Sequence, residues 1–211
     1  MKKHLSTILL IVLVAAISIG ATLAYLTDED KAVNTFTVGK VGIELDEAKV
    51  DEYGFEIEGA DRVKTNEYKL IPGHSYVKDP MVTVDAGSEE SYVRMIVKIN
   101  KAAALKNVFG NDFLPQDFVK GWDANIWNTT TLVVEENDVL TYEFRYHKTV
   151  TTLEPKADKE LEPLFTGIDF PGNVTAEQLL TLEGLQIDIE AHAIQADGFA
   201  DADAAWAAFQ K

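Results

Sequence analysis

The side chains best suited to acid–base or metal chemistry are histidines that lie far apart along the chain. They are His74, His147 and His192, with His4 near the start. A zinc-peptidase helix places two histidines four residues apart around a glutamate, so that both reach one metal ion. No pair in this sequence has that spacing, and no nucleophile elbow or phosphate-binding glycine loop is present. We therefore predict no catalytic residue, with convergence of the distant histidines on a metal as the alternative.

Acidic residues cluster at three places and could bind a cation. Two clusters are 28–30 and 135–138, and the third runs from Asp197 to Asp203. Calcium loops of the EF-hand type need regularly spaced oxygen ligands and a closing glutamate, and the third cluster has neither. All three clusters are adequately explained as charged, solvent-exposed segments of the chain. We predict no cofactor, and calcium or zinc binding stays open as an alternative.

Three aromatic residues, Trp122, Trp127 and Tyr146, could line a sugar-binding surface. Aromatic side chains bury a large apolar area on folding, so we favour a role in the hydrophobic core. No pair of carboxylates stands out as the pair that glycoside hydrolysis requires.

The first 24 residues have the pattern of a secretory signal peptide. Two lysines precede an uncharged apolar stretch (8–19), and small residues (20–24) follow before charge returns. A signal peptidase needs a small residue before the cut, so we predict cleavage between Ala24 and Tyr25. An uncleaved anchor is the alternative, since the apolar stretch approaches the roughly 20 residues that span a bilayer. The mature chain is expected outside the cell, with retention at the cell surface left open.

Charge and cysteine content restrict the partners and the source. Without the two lysines of the leader, 17 basic residues stand against 35 acidic ones, a net charge of −18. Such a charge repels nucleic acid and anionic membranes, so we predict neither as a partner of the cleaved chain. The sequence has no cysteine, whereas exported eukaryotic proteins often carry disulfides. We expect a bacterial, Gram-positive source.

Alternating apolar and polar residues predict several β-strands. The clearest run is 185–194, in which odd positions are apolar and even positions are polar up to His192, which places His192 on the exposed face. Further runs are 81–84, 93–99, 141–146 and 36–45. In the last of these the apolar parity changes at Gly39-Lys40, where a β-bulge would return both halves to the core.

Two short helices are predicted from their capping residues. Thr175 stands three residues before Gln178, which is the spacing of a capping box. An alanine-rich segment from Asp201 to Phe209 has Asp201 or Asp203 as its cap.

Helices do not alternate with strands, so parallel βαβ units are disfavoured. The prediction is a mostly all-β fold: an antiparallel β-sandwich of jelly-roll type with a few short helices. Its domains are the signal peptide (1–24), an N-terminal segment (25–35) and the β-sandwich (36–211).

Five segments carry a resemblance to a known family. GATLAYLTD (20–28) and NTFTVGKVGIEL (34–45) resemble the TasA/camelysin family, exported proteins of Gram-positive bacteria whose leader is cut by the SipW signal peptidase. PGHSYVKDP (72–80), AGSEESYVR (86–94) and AIQADGF (193–199) are similar to its clostridial-type relatives. The resemblance covers about residues 1–100 and 185–209.

This resemblance implies a structural role. Its best-known members form extracellular fibres of the biofilm matrix, in which the segment freed by cleavage is a donor strand that fills a groove in the next subunit. Here the donor would run from Tyr25 to about Thr35, with Tyr25, Leu26 and Val33 as anchors. A disordered N-terminus is the alternative. A secreted, self-associating protein without enzymatic activity is therefore expected; a camelysin-like cell-surface metallopeptidase and a surface binding module or adhesin are the alternatives.

Overall fold

The computed structural model describes residues 39–129 and 134–209. The predicted leader, the cleavage site at Ala24 and Tyr25, and the donor anchors Leu26 and Val33 lie outside the described residues and stay predictions. Residues 36–38 of the predicted strand 36–45 also lie outside the described residues. Residues 39–42, which include the predicted bulge at Gly39-Lys40, are not in a strand, and the strand begins only at Ile43.

Eleven strands, three α-helices and one short 3-10 helix (Pro115–Asp117) make up the regular structure of the described residues. The strands are β1 (Ile43–Asp46), β2 (Ser75–Val77), β3 (Met81–Val84), β4 (Ser91–Asn100), β5 (Val119–Lys120), β6 (Trp127–Thr129), β7 (Val134–Glu136), β8 (Val139–Tyr146), β9 (Lys159–Glu160), β10 (Gly167–Asp169) and β11 (Ile187–Gln195). The helices are α1 (Ala102–Phe109), α2 (Ala176–Thr181) and α3 (Ala202–Ala208). The strand pairings are antiparallel, which confirms the predicted fold class.

The largest sheet has the strand order β11-β4-β8-β6, and β7 also pairs with β8. Along β4 every second side chain is buried, because one face of the sheet packs on the core and the other does not. β8 has the same alternation. The two-residue turn between β7 and β8 is formed by Asn137 and Asp138, whose φ angles of 54° and 62° match the turn that such hairpins favour.

Two three-stranded sheets, β1-β3-β9 and β2-β10-β5, complete the architecture. Their inward side chains join those of the large sheet in one hydrophobic core. Members from the smaller sheets and their links include Val82, Val84, Phe118, Phe165, Ile168 and Phe170.

Both predicted helices are present with their predicted caps. The Thr175 hydroxyl accepts from the Gln178 N–H at 3.2 Å, and the Gln178 side chain accepts from the Thr175 N–H at 3.0 Å. At α3, Asp201 accepts from the Ala204 N–H at 2.9 Å. These bonds satisfy main-chain donors that the first turn of a helix leaves unpaired.

Helix α3 packs on the outer face of the large sheet. The Arg94 guanidinium lies 4.3 Å from the Trp206 ring centroid and 4.9 Å from that of Phe209. Phe209 also contacts the His192 ring at 4.8 Å. The His192 side chain is consequently only 13 % exposed. The expectation of an exposed His192 is wrong, because strand alternation places the residue on the outer face but does not show that a helix covers that face.

The aromatic residues proposed for a sugar site belong to the core. Trp127 is 1 % exposed and Tyr146 is 7 % exposed, with ring centroids 5.0 Å apart. The Trp127 indole N–H donates to the Glu162 carbonyl oxygen at 2.8 Å. Trp122 is partly buried against the same core.

The contact between Tyr146 and Glu162 predicts an effect on acid stability. The Tyr146 hydroxyl donates to the Glu162 carboxylate, which lowers the pKa of Glu162 below its ordinary value of 4.5. A carboxylate with a lowered folded-state pKa contributes stability above its unfolded pKa and loses it as the pH falls through the folded pKa. We expect Tyr146→Phe to raise the pKa of Glu162 toward 4.5, as measured by NMR titration of its carboxyl group.

Tyr142→Phe is the matched control, because the Tyr142 hydroxyl is buried on the same strand without a hydrogen-bond partner among the described residues. It should leave the Glu162 titration unchanged. A Glu162 curve that does not move in Tyr146→Phe would contradict the assignment.

Candidate functional site

Strands β1 and β11 are edge strands that flank one groove. Within the described residues, β1 forms a ladder only with β3, and β11 forms one only with β4. Their Cα atoms approach within 8 Å of each other, and no ladder joins the two strands within the described residues. The two facing edges are therefore close to each other but not paired.

The main-chain groups of alternate β11 residues point into this groove. The Asn100 N–H donates to Gln186 O at 3.2 Å, and the Ala196 N–H donates to Glu90 O at 2.8 Å. These bonds place the even-numbered residues of β11 in hydrogen-bonded pairs with β4. Because the direction of N–H and C=O alternates along a strand, the odd-numbered residues direct theirs toward the open side.

The same argument applies to β1. The Asp85 N–H donates to Gly42 O at 3.0 Å on the β3 side. On the opposite side, Glu47 and Val63 exchange two main-chain bonds of 2.8 Å each. Ile43 and Leu45 share the parity of Glu47, so their N–H and C=O groups face the groove. Each wall of the groove thus offers main-chain donors and acceptors to a third strand.

The side chains of these same residues form an apolar row that is only partly covered. Ile187, Ile189, Ala191 and Ala193 of β11, with Ile43 and Leu45 of β1, pack against the core but stay half-buried. The inward side chains of the neighbouring β4 are at most 2 % exposed. These side chains alternate as core-facing residues do, but they are only half-buried. An exposed apolar row of this kind is a surface that another element can cover.

The groove has a volume of about 1590 Å³. Its floor includes Tyr76, Phe118 and Phe170, which are buried members of the core. Residues of α2 line another part of it, among them Leu180, which is 73 % exposed. The site is therefore a large, apolar-floored depression with polar main-chain groups along two walls.

A polar cluster, here called the Glu47 cluster, lies in the wall beyond β1, with two members buried (Glu47 and Lys78) and two half-buried (Asn66 and Tyr68). It consists of Glu47, Asn66, Tyr68 and Lys78, and all four residues line the groove. Lys78 Nζ donates to Glu47 Oε2 at 2.5 Å, and Asn66 Nδ2 donates to Glu47 Oε1 at 2.9 Å. Burial raises the pKa of the Tyr68 hydroxyl, and the Glu47 carboxylate adds to this increase.

Arg62 holds the segment between Glu47 and Asn66 against the strands. Its guanidinium donates to Asp46 at 2.6 Å and to Asp79 at 2.8 Å. Because Asp46 ends β1 and Asp79 precedes β3, these bonds fix the end of the groove wall.

The described histidines, His74, His147 and His192, have separate contacts, and His4 and the acidic cluster 28–30 lie outside the described residues. His74 Nε2 lies 2.6 Å from Tyr53 O, and His147 Nδ1 lies 3.3 Å from Ile126 O, whereas His192 lies under α3. In residues 39–129 and 134–209, no group of three or more His, Cys, Asp or Glu residues is placed to hold a metal ion.

The groove is a candidate site that the sequence analysis did not locate. The residues of its two walls, β1 and β11, lie in segments predicted as strands, and the alternation in 185–194 correctly marked the inward side chains. The sequence pattern contains no information on which strands lack a second neighbour. Within the described part of the chain, no helix combines the length and hydropathy needed to cross a bilayer.

Comparison with protein family models, curated proteins and solved structures gives no match for this chain.

Proposed function

We propose that this chain is an exported structural subunit that assembles into extracellular matrix or surface fibres by strand insertion. In this proposal the groove between β1 and β11 of one copy accepts the N-terminal segment 25–35 of another copy. The observation that carries the proposal is that, within residues 39–129 and 134–209, both walls of the groove present main-chain groups without a ladder partner while its apolar row stays half-buried.

A β-strand fits these walls better than a small molecule does. An extended chain carries N–H and C=O groups on both of its sides, so it can pair with β1 and β11 at once. Its alternate side chains then cover the apolar row. Tyr25, Leu26 and Val33 are the apolar side chains available for this in the proposed donor.

The donor and the groove are different surfaces of the same chain, so the contact between copies is heterologous. A heterologous contact that does not close into a ring propagates into a filament. Side chains alternate along an inserted strand, so Asp28 and Asp30 are expected on the solvent-facing side, opposite to Tyr25 and Val33.

Insertion requires the walls to separate. A strand between two others lies about 4.8 Å from each, so β1 and β11 must stand about 9.6 Å apart in the occupied state. They approach within 8 Å here. Assembly is therefore expected to move β1 outward together with its partner β3.

Electron microscopy and light scattering can test the proposal on two forms of the protein. One begins at Tyr25, the residue that N-terminal sequencing of the exported form should identify, and the other is residues 34–211. We expect fibres from the first form and monomers from the second, because the second lacks the donor. A double variant, Leu26→Ser with Val33→Ser, should also stay monomeric, whereas Thr27→Ser in the same segment should assemble.

Identical behaviour of the two forms would overturn the proposal, whether both assemble or both stay monomeric. A monomeric Tyr25 form would mean that the segment is free or that it occupies the groove of its own chain.

A further inference from the structure

We propose that Lys78 and Asn66 become joined by an intramolecular amide bond, which the chain forms itself with Glu47 as the acid–base group. The proposal concerns the Glu47 cluster and does not depend on fibre assembly. Such a bond needs an amine, a carboxamide and a shared proton carrier held close together, and the cluster supplies each of them, with the amine and the proton carrier buried and the carboxamide half-buried.

The amine and the carboxamide are held on the same carboxylate. Lys78 Nζ lies 2.5 Å from Glu47 Oε2, and Asn66 Nδ2 lies 2.9 Å from Glu47 Oε1. Glu47 can therefore take a proton from the attacking nitrogen and give one to the leaving nitrogen without moving between sites. This is the arrangement that general acid–base catalysis requires.

Main-chain groups prepare the carboxamide of Asn66 for attack. Its Oδ1 accepts from the Val50 N–H at 3.1 Å, and its Nδ2 also donates to Ala48 O at 2.8 Å. The Val50 N–H points at the oxygen on which negative charge develops when a nucleophile adds to the carbonyl carbon. A fixed donor at that position stabilises the tetrahedral intermediate.

The surroundings favour a reactive amine. Lys78 is 7 % exposed and Glu47 is 6 % exposed, and the Tyr68 ring centroid lies 5.7 Å from Lys78 Nζ. Keeping two opposite charges away from water is costly. Transfer of one proton from the ammonium to the carboxylate removes both charges and leaves the lone pair that a lysine nucleophile needs.

The reaction balances without any further reactant. The neutral Lys78 Nζ forms a bond to Asn66 Cγ, and the carbonyl electrons move to Oδ1. Glu47 donates its proton to Nδ2 and accepts one from Nζ. The carbonyl re-forms as the Cγ–Nδ2 bond breaks, so the products are a secondary amide between the two side chains, one molecule of ammonia, and Glu47 again protonated.

The bond would tie the wall segment 47–66 to the link between β2 and β3. In a chain without cysteine, it would give this wall a covalent support that does not depend on redox conditions.

Peptide mass spectrometry of the purified full chain tests the proposal. Trypsin should not cut after a crosslinked Lys78, so residues 65–69 should remain attached to residues 70–94 in a branched peptide lighter than its parts by one ammonia. Fragmentation should place the branch between Asn66 and Lys78. Separate, unmodified peptides ending at Lys69 and Lys78 would overturn the proposal.

Variants separate the chemistry from the fold. Lys78→Met and Asn66→Ala remove a reacting group, and Glu47→Gln removes the proton carrier, so all three should lose the branched peptide. Lys106→Met is the control, because Lys106 pairs with the exposed Glu135 at 2.5 Å, outside the cluster; it should retain the branched peptide. Full crosslinking in Glu47→Gln would overturn the role of Glu47. The peptide masses of the unsubstituted protein show whether the bond exists, so the proposal remains testable even if a variant fails to fold.

Discussion

Replacement of Ala191 by proline is expected to abolish fibre formation while leaving a folded monomer. The Ala191 N–H faces the open side of β11, as its odd-numbered parity dictates. Proline has no N–H to donate, and its ring occupies the space in which an inserted strand would lie. The ladder to β4 loses no bond, which is why proline is tolerated on the free side of an edge strand.

The expected effect on assembly is at least about fivefold in the protein concentration at which fibres appear, since even one lost net hydrogen bond of about 1–1.5 kcal/mol changes an equilibrium about five- to tenfold. The steric block adds to this loss. Light scattering over a concentration series, followed by electron microscopy, measures it. Urea unfolding should show a change in the free energy of unfolding on the order of 1 kcal/mol.

Two further proline variants serve as controls. His192→Pro removes an N–H on the β4 side of the same strand, so it should lower the free energy of unfolding by more than Ala191→Pro does. Ala200→Pro lies in the exposed link before α3 and should assemble normally. Normal fibres from Ala191→Pro would show that the free edge of β11 is not the docking edge.

The parts of the fold that follow from local chemistry could be predicted from the sequence. Strand β4 follows from side chains that alternate over ten residues, and α2 follows from the capping box at Thr175. In each case the residues that determine the element lie within one short segment of the chain. The cover over His192 could not be predicted, because α3 reaches it from a different part of the chain.

The candidate site was less predictable for the same reason. The groove exists because β1 and β11 each have one ladder partner within the described residues, and strand pairing is decided by the whole topology. The Glu47 cluster joins residues that are 19 and 31 positions from Glu47 along the chain. Lysine, asparagine and glutamate are ordinary surface residues in a sequence, so only the hydrogen bonds that join them and the burial of Glu47 and Lys78 indicate a chemical role.

Replacement of Trp127 by alanine is expected to cause the largest loss of stability among single core substitutions proposed here. Trp127 is 1 % exposed, packs on Tyr146, and binds the Glu162 carbonyl at 2.8 Å. Removal of a buried tryptophan side chain typically costs about 3–5 kcal/mol, because apolar contacts are lost and a cavity remains. A domain of this size has a total stability of about 5–15 kcal/mol, so this one change removes a large share of it.

Trp127→Phe separates the ring from its hydrogen bond. Phenylalanine keeps most of the aromatic contact but cannot donate to Glu162 O, so a smaller loss of about 1–3 kcal/mol is expected. Trp122→Ala should cost less than Trp127→Ala, because Trp122 is only partly buried. Urea unfolding of the three variants measures the loss in the free energy of unfolding for each and so tests this order. If Trp127→Ala unfolds at the same urea concentration as the unsubstituted protein, Trp127 is not a core residue, and a surface role such as sugar binding becomes the better explanation for it.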